Sequence, residues 1–302
     1  METRQIDESA GYNDMHETEY KTILSPMNHM NLYRGCTHGC IYCDSRSTCY
    51  QMDHDFEEIE VKKDALTILE AQLRRKRKPC MISTGAMCDP YIPLELDLQL
   101  TRGSLELIEH YGFGVAIQTK SNRILRDLDL LKRINARTKA VVQITLTTHD
   151  EALCRVIEPH VSTTSERISV LETMRDEGIP TVVWLSPILP LINDTEENLR
   201  GLLDACIRTK VHGIINFGFG LTLRDGNRDY FYQQLDQHFP GVKDQYIHRY
   251  DNAYECRSPN HARLMSIFNS VCSENSILTG PDTVFAYLKT FEEKNRQLSF
   301  LT

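Results

Sequence analysis

The chain has no run of about 18 consecutive apolar residues, so the sequence offers no membrane-spanning helix. It is also short of positive charge: 34 lysines and arginines stand against 42 aspartates and glutamates, a formal charge of −8. A general nucleic-acid binder carries a basic footprint, and that balance argues against one here. The opening METRQIDESAGYNDMHE is polar and has no apolar core, so it does not resemble a secretory signal. Residues 1–20 are expected to be a loose arm, and the expected location is cytoplasmic. Internal repeats and low-complexity segments are missing too. What is present is ordinary for a globular chain of 302 residues: 41% hydrophobic and 25% charged, enough to bury a sizeable core. The one local basic run, Arg74-Arg75-Lys76-Arg77-Lys78, reads as a helix end, where cations complement the dipole.

Short β-type runs alternate with amphipathic stretches along the first two-thirds of the chain. Met30–Tyr33 reads as a strand, followed by a helix over about 61–76. Cys80–Ser83 is the next strand, then a helix near 98–111. Gly114–Gln118 precedes a helix near 123–136, and Ala140–Leu146 one near 165–177. Thr181–Leu185 is followed by a helix near 194–208, and Gly213–Phe217 closes the series. Six such units predict a parallel sheet with helices outside, curled by right-handed crossovers into a partial (βα)6 barrel. A flat doubly wound sheet is the alternative. On this reading residues 21–222 form the core domain, and 223–302 an α-rich C-terminal extension packed on it as a cap. In such a barrel the strand exits share one rim. Topology alone then brings together the segments at 36–43, 85–90, 119–121 and 186–187.

Ten cysteines without a secretory signal favour metal or redox chemistry over disulfides. Cys36-Thr37-His38-Gly39-Cys40-Ile41-Tyr42-Cys43 packs three thiols into one loop. A closed structural zinc site wants four ligands, often as two separated pairs. No second pair exists, since Cys256 and Cys272 lie sixteen residues apart, although Cys49 or His38 could complete a zinc site. Thiolates also hold iron–sulfur clusters, and three of them leave one metal position open.

The C-x3-C-x2-C loop, with Tyr42 before its third cysteine, resembles the radical S-adenosylmethionine (SAM) superfamily. That resemblance implies a [4Fe–4S] cluster on Cys36, Cys40 and Cys43, with SAM chelating the fourth iron. It implies an enzyme that cleaves SAM by one-electron reduction to a 5′-deoxyadenosyl radical for hydrogen abstraction. A reductant such as a flavodoxin or ferredoxin would be a partner. Within the superfamily, Asn31 to Cys43, Cys88-Asp89-Pro90-Tyr91 with Glu95, Thr119-Lys120-Ser121, Glu158-Pro159 with Arg167, and Ser186-Pro187 to Asn193-Asp194 are similar to spore photoproduct lyase-like proteins. These segments run from about 28 to 200.

That closer resemblance implies SAM contacts by Tyr42, Asp89, Lys120 and Ser186, and a nucleic-acid substrate. Lyase and transferase chemistry both fit it. Position 86, where true spore photoproduct lyases carry a hydrogen-donating cysteine, is alanine here. Cys88 is then the candidate catalytic thiol, with an inert core cysteine as the plain alternative. Asp89 and Glu95 could bind ribose, the SAM amine or an arginine, and Asp89 could instead cap a helix. Asn193-Asp194 reads as a helix opening, and Gly218-Phe219-Gly220 as either a ligand approach or a tight turn. A peptide or small-molecule substrate, or a metal-stabilised binding module without turnover, are the rival functions.

Overall fold

Every residue of Ala140–Thr145 is buried, as expected of a strand covered on both faces. Around it the computed structural model, which describes residues 15–294, builds its elements in a regular order. Met15–Thr18 (β1), His29–Met30 (β2), Tyr33–Arg34 (β3) and Ile59–Lys62 (β4) precede the helix Ala65–Arg75 (α1). Met81–Thr84 (β5) leads to Glu95–Leu98 (α2) and Leu100–His110 (α3), and Gly114–Thr119 (β6) to Leu128–Arg137 (α4). Ala140–Thr145 (β7) is followed by Glu151–Ile157 (α5) and Thr164–Asp176 (α6), and Thr181–Trp184 (β8) by Glu196–Arg208 (α7). Gly213–Ile215 (β9) and Gly220–Thr222 (β10) come next, then Asn227–His238 (α8), Val242–Tyr250 (α9) and Glu255–Arg257 (β11). His261–Glu274 (α10) and Pro281–Lys289 (α11) complete the described chain. Among the described residues no helix is long and apolar enough to cross a membrane.

Six strands form one sheet in the order β2-β5-β6-β7-β8-β9, and each neighbouring pair is parallel. The spatial order follows the chain order without reversal. A doubly wound sheet reverses at a switch point, so this topology is the singly wound one of a partial barrel. Outside β9 the edge of the sheet is covered by the C-terminal region, where Ile214 N donates to Leu278 O at 2.8 Å.

Alternation along the strands separates two faces. Ile82, Val115, Ile117, Val142, Ile144 and Val183 join the large core shared with the outer helices. The alternate positions Met81, Ala116, Val141, Val182 and Ile215 pack instead with Val284 and Leu288 of α11. A helix thus fills the inner face near the strand starts. Further along that face the residues turn polar, and Trp184 Nε1 donates to Gln143 Oε1 at 2.9 Å. The sheet is therefore plugged at one end and hydrophilic at the other.

Four expectations need correction. The run Met30–Tyr33 is not one strand: β2 belongs to the barrel, while β3 pairs antiparallel with β4 in a separate sheet of order β1-β4-β3. The helix expected from 61 starts at Ala65, because Ile59 and Val61 are buried β-branched residues of β4. Of the arm expected over 1–20, residues 1–14 lie outside the described residues. Met15–Thr18 pairs with β4 and is a strand, not loose chain. The seven-residue helix α5 has no counterpart in the sequence reading; Asp150 caps it by accepting from Ala152 N and Leu153 N.

Ile144, on the middle strand, is 0% exposed. Ile144→Ala is expected to lower unfolding free energy by about 2–5 kcal/mol, the usual cost of such a cavity, read as a lower urea midpoint with an unchanged slope.

Candidate active site

The three-cysteine loop leaves β3 through Gly35, whose φ is +84°. A Cβ there would meet Glu58 O at 2.6 Å and Phe56 O at 2.8 Å, so only glycine lets the loop lie against the run into β4. Cys36 N then donates to Phe56 O at 2.9 Å. Beyond Gly39 (φ +68°) the loop attaches to the far end of α5. His160 N donates to His38 O at 3.2 Å, and Ile41 N to Ile157 O at 3.0 Å. Two anchors fix the loop, one beside the small three-stranded sheet and one at the end of α5.

Cys40 is buried, and Cys36 and Cys43 are half-buried; all three are free thiols. Three free thiols on one loop are a donor set that fits an iron–sulfur cluster. The Cys88 and His38 neighbours of Cys36 hold its thiol well below the usual pKa against the opposing effect of burial, and the Cys88 thiol donates to Asp89 O at 3.5 Å. Thiolate is the form that binds metal. Burial pushes Cys40 and Cys43 the other way.

The exits of β5 and β6 are tied together by Asp89. Its carboxylate accepts from Tyr91 N at 2.8 Å, the Thr119 hydroxyl at 2.7 Å and Lys120 N at 2.7 Å. His38 Nδ1 lies 3.6 Å away. Gly85 (φ +100°) allows this closeness, since a Cβ would sit 2.0 Å from Gln118 O. Lys120 Nζ is 5.7 Å from the Tyr42 ring. Burial opposes its charge, but Cys40, Glu158, Cys43 and Asp89 together raise its pKa. The Tyr42 hydroxyl donates to Glu158. Glu158 in turn pairs with Arg167 at 2.5 Å, both side chains having no exposed surface. Arg167 also donates to Thr145 O at 2.8 Å.

Cys36, Cys40, Tyr42, Cys43, Cys88, Asp89 and Lys120 are therefore one neighbourhood. Ser186 is half-buried in the loop leaving β8. Cys49 stands apart and exposed, accepting from Arg224 Nη1 at 3.3 Å. Glu95 is held by Arg126 at 2.7 Å and by the Tyr33 hydroxyl. Asn193 and Asp194 do not cap α7; Thr195 does, accepting from Asn198 N. Asn193 accepts from Leu189 N at 2.6 Å and donates to Thr147 O at 2.8 Å. Asp194 takes Leu191 N and the Ser258 hydroxyl. The pair locks the loop after β8 onto the β7 exit and the C-terminal region. Gly220 (φ +153°) serves the β10–β11 pairing, where a Cβ would meet Cys256 O at 2.5 Å.

Sequence reasoning missed another group. Thr37 Oγ1, His38 Nε2, Thr145 Oγ1, Thr147 Oγ1 and Asn216 Nδ2 are buried without a hydrogen-bond partner. All belong to the cysteine loop or to the exits of β7 and β9. Each such atom costs about 1–3 kcal/mol, and a polar ligand at the rim would satisfy them. Their positions just past strand ends were the available signal.

Comparison with known proteins bears on the family and the fold. A family model described as the radical SAM superfamily matches residues 30–206. An uncharacterized protein of Mycobacterium tuberculosis is 29% identical over 227 residues, 73% of this chain and 66% of that protein. The chain thus spans just under two-thirds of the length of that relative. A point variant of spore photoproduct lyase superposes with a TM-score of 0.59 at 15% identity, covering 82% of this chain and 74% of the other. A doubly substituted variant of that enzyme, with bound AdoMet and dinucleoside spore photoproduct, gives 0.55 at 16% identity over 80% and 72%. At that identity the likeness concerns the fold.

Removing one partner of a fully buried ion pair strands the other charge. Arg167→Met is expected to cost about 3–5 kcal/mol in urea unfolding of the iron-free chain. Adding Glu158→Leu to the same chain is expected to recover part of that loss.

Proposed function

The chain belongs to the radical SAM superfamily, and on that premise we propose how its own residues serve an enzyme of that kind. A [4Fe–4S] cluster and SAM, when bound, supply one-electron cleavage of SAM to a 5′-deoxyadenosyl radical for hydrogen abstraction. Cys36, Cys40 and Cys43 are the residues that would hold the cluster. The observation carrying this reading is the meeting of three free thiols on one loop with five unpaired buried polar atoms at the exits of one singly wound sheet. Unpaired polar atoms at the rim above a plugged barrel fit a polar cofactor.

Lys120 is assigned to a carboxylate of SAM. It is a compact cation whose charge is kept by the surrounding Cys40, Glu158, Cys43 and Asp89 against the cost of burial. Asp89 is assigned to positioning: three donors already occupy it, and one of them is the Lys120 backbone. Tyr42 presents its ring face to Lys120 while its hydroxyl is tethered to Glu158. It forms a wall that excludes water. Ser186 would contact SAM from the β8 exit. Cys88, 6% exposed and a neighbour of Cys36, is the proposed thiol that gives a hydrogen atom to a substrate-derived radical and becomes a thiyl radical. A flavodoxin- or ferredoxin-class reductant would supply the electron.

For the substrate we favour a nucleic acid. Support comes from the spore photoproduct lyase-like motifs and from Phe217, which is 60% exposed just past β9 with its ring 5.9 Å from Trp184. An exposed aromatic ring is a surface on which a base can stack. The charge of −8 favours the second reading, a peptide or small molecule.

Anaerobic reconstitution is expected to load about four irons per chain and give dithionite-dependent 5′-deoxyadenosine. The Cys36→Ala/Cys40→Ala/Cys43→Ala chain should lose both, and SAM cleavage by that variant would overturn the assignment. Single-stranded oligonucleotides should bind with affinity that falls steeply as salt rises, and Phe217→Ala should weaken binding by about 1–3 kcal/mol for each base it stacks. Salt-insensitive or absent binding would exclude the nucleic-acid reading.

A further inference from the structure

We propose that His16, His54 and Glu60 form a second metal site, separate from the three-cysteine loop, for a divalent transition-metal ion of the zinc class. The three side chains come from different segments: His16 from β1, Glu60 from β4, and His54 from the loop running into β4. His16 and Glu60 are direct partners in the parallel β1–β4 register, which places their side chains on one face of that small sheet. The ligand atoms of all three lie within 4.8 Å of one another. The two imidazoles meet edge to face at 4.8 Å between centroids.

The outer hydrogen bonds point the same way. His16 Nδ1 lies 2.6 Å from Glu58 Oε1, and His54 Nδ1 lies 3.0 Å from Asp55 O. Each ring thus has one nitrogen committed to an acceptor, one a carboxylate and the other a backbone carbonyl. Metal-binding histidines are held in that way, with the acceptor fixing the tautomer and leaving the second nitrogen's lone pair for the ion. His54 Nε2 is 3.4 Å from Glu60 Oε2, a separation that an ion with bonds of about 2.0–2.2 Å to each atom would bridge.

Glu60 is 3% exposed, and a carboxylate so buried needs a counter-charge. Arg34 supplies only a distant one, at 3.6 Å, because its other nitrogen is spent on Tyr50 O at 2.7 Å and Gln51 O at 3.0 Å. The second Glu60 oxygen accepts from the Tyr20 hydroxyl, so one oxygen remains for the ion. The donor set of two imidazoles and a carboxylate suits zinc and its neighbours rather than calcium or magnesium. His16 is partly open to solvent, and water would fill the remaining coordination position.

The ion would staple β1 to β4. The run into β4 carries Phe56 O, which receives Cys36 N, and Glu58 O, against which Gly35 packs. The second site would therefore brace the near anchor of the three-cysteine loop.

The test uses the full chain carrying Cys36→Ala, Cys40→Ala and Cys43→Ala, dialysed against Zn2+ and then titrated with a competing chelator. About one zinc per chain is expected to remain. His16→Ala and His54→Ala should each weaken zinc binding at least tenfold, and Glu58→Gln should weaken it about 10- to 100-fold through His16. His16 is the half-exposed ligand, so an unchanged circular dichroism spectrum of His16→Ala separates metal loss from misfolding. Cobalt(II) in the same site should show ligand-field bands without thiolate charge transfer. Zinc that fails to bind, that binds equally well to the His16→Ala/His54→Ala chain, or cobalt that reports thiolate ligation would each overturn the proposal.

Discussion

The ion pair between Glu158 and Arg167 is the interaction on which the rim depends. Both side chains are wholly out of water and 2.5 Å apart. Desolvating two charges cancels much of their attraction, so such a pair contributes little net stability by itself. Its effect is on arrangement. Arg167, from α6, also donates to Thr145 O at the end of β7. Glu158, at the end of α5, also holds the Tyr42 hydroxyl and with Arg167 encloses Cys154. One buried pair therefore joins two helices, a strand exit and the loop bearing the cysteines. Neither partner can shift without leaving a charge alone in the core, so the junction admits one arrangement.

Sheet order then decides what that junction faces. Because the six strands follow one another without reversal, all their exits converge on one rim. α11 closes the inner face at the other end, where the strand residues are Met, Ala, Val and Ile. Polar side chains on that face are thereby confined to the exit side. A ligand entering there meets Gln143, Trp184 and the unpaired hydroxyls of Thr145 and Thr147. The fold confines the polar residues of its inner face to the exit side by plugging the apolar half.

Much of this was legible in the sequence because it depends on local pattern. Each run rich in Val and Ile became a strand, and the cysteine spacing located the loop. The failures share a cause. The split of Met30–Tyr33 and the strand at Ile59–Lys62 depend on pairing between segments about 26 residues apart, and no window of local sequence contains both partners. Asn193 and Asp194 looked like a helix start because Asp and Asn favour that place. Their real partners, Thr147 O and the Ser258 hydroxyl, are distant in the chain and outcompete the local role. His16 and Glu60 carried no signal at all, since their adjacency comes from a parallel register between strands with 40 residues between them.

The two anchors of the cysteine loop differ in kind, and the difference bears on what can move. The far anchor, at Ile157 and His160, belongs to a helix end locked by the buried ion pair. The near anchor, Phe56 O, belongs to a short irregular run at the margin of a three-stranded sheet whose other edge is only four residues long. Polar side chains crowd that margin: His16 with Glu58, His54 and Arg34 with Glu60. The near anchor is a single hydrogen bond to an irregular run, whereas the far one is two bonds to a helix end held by a buried ion pair. Cys36 is thus held by the softer anchor, and Cys40 by the stiffer one. Any adjustment of the loop when its thiols take up metal should begin at Cys36, the thiol whose Cys88 and His38 neighbours already favour the thiolate.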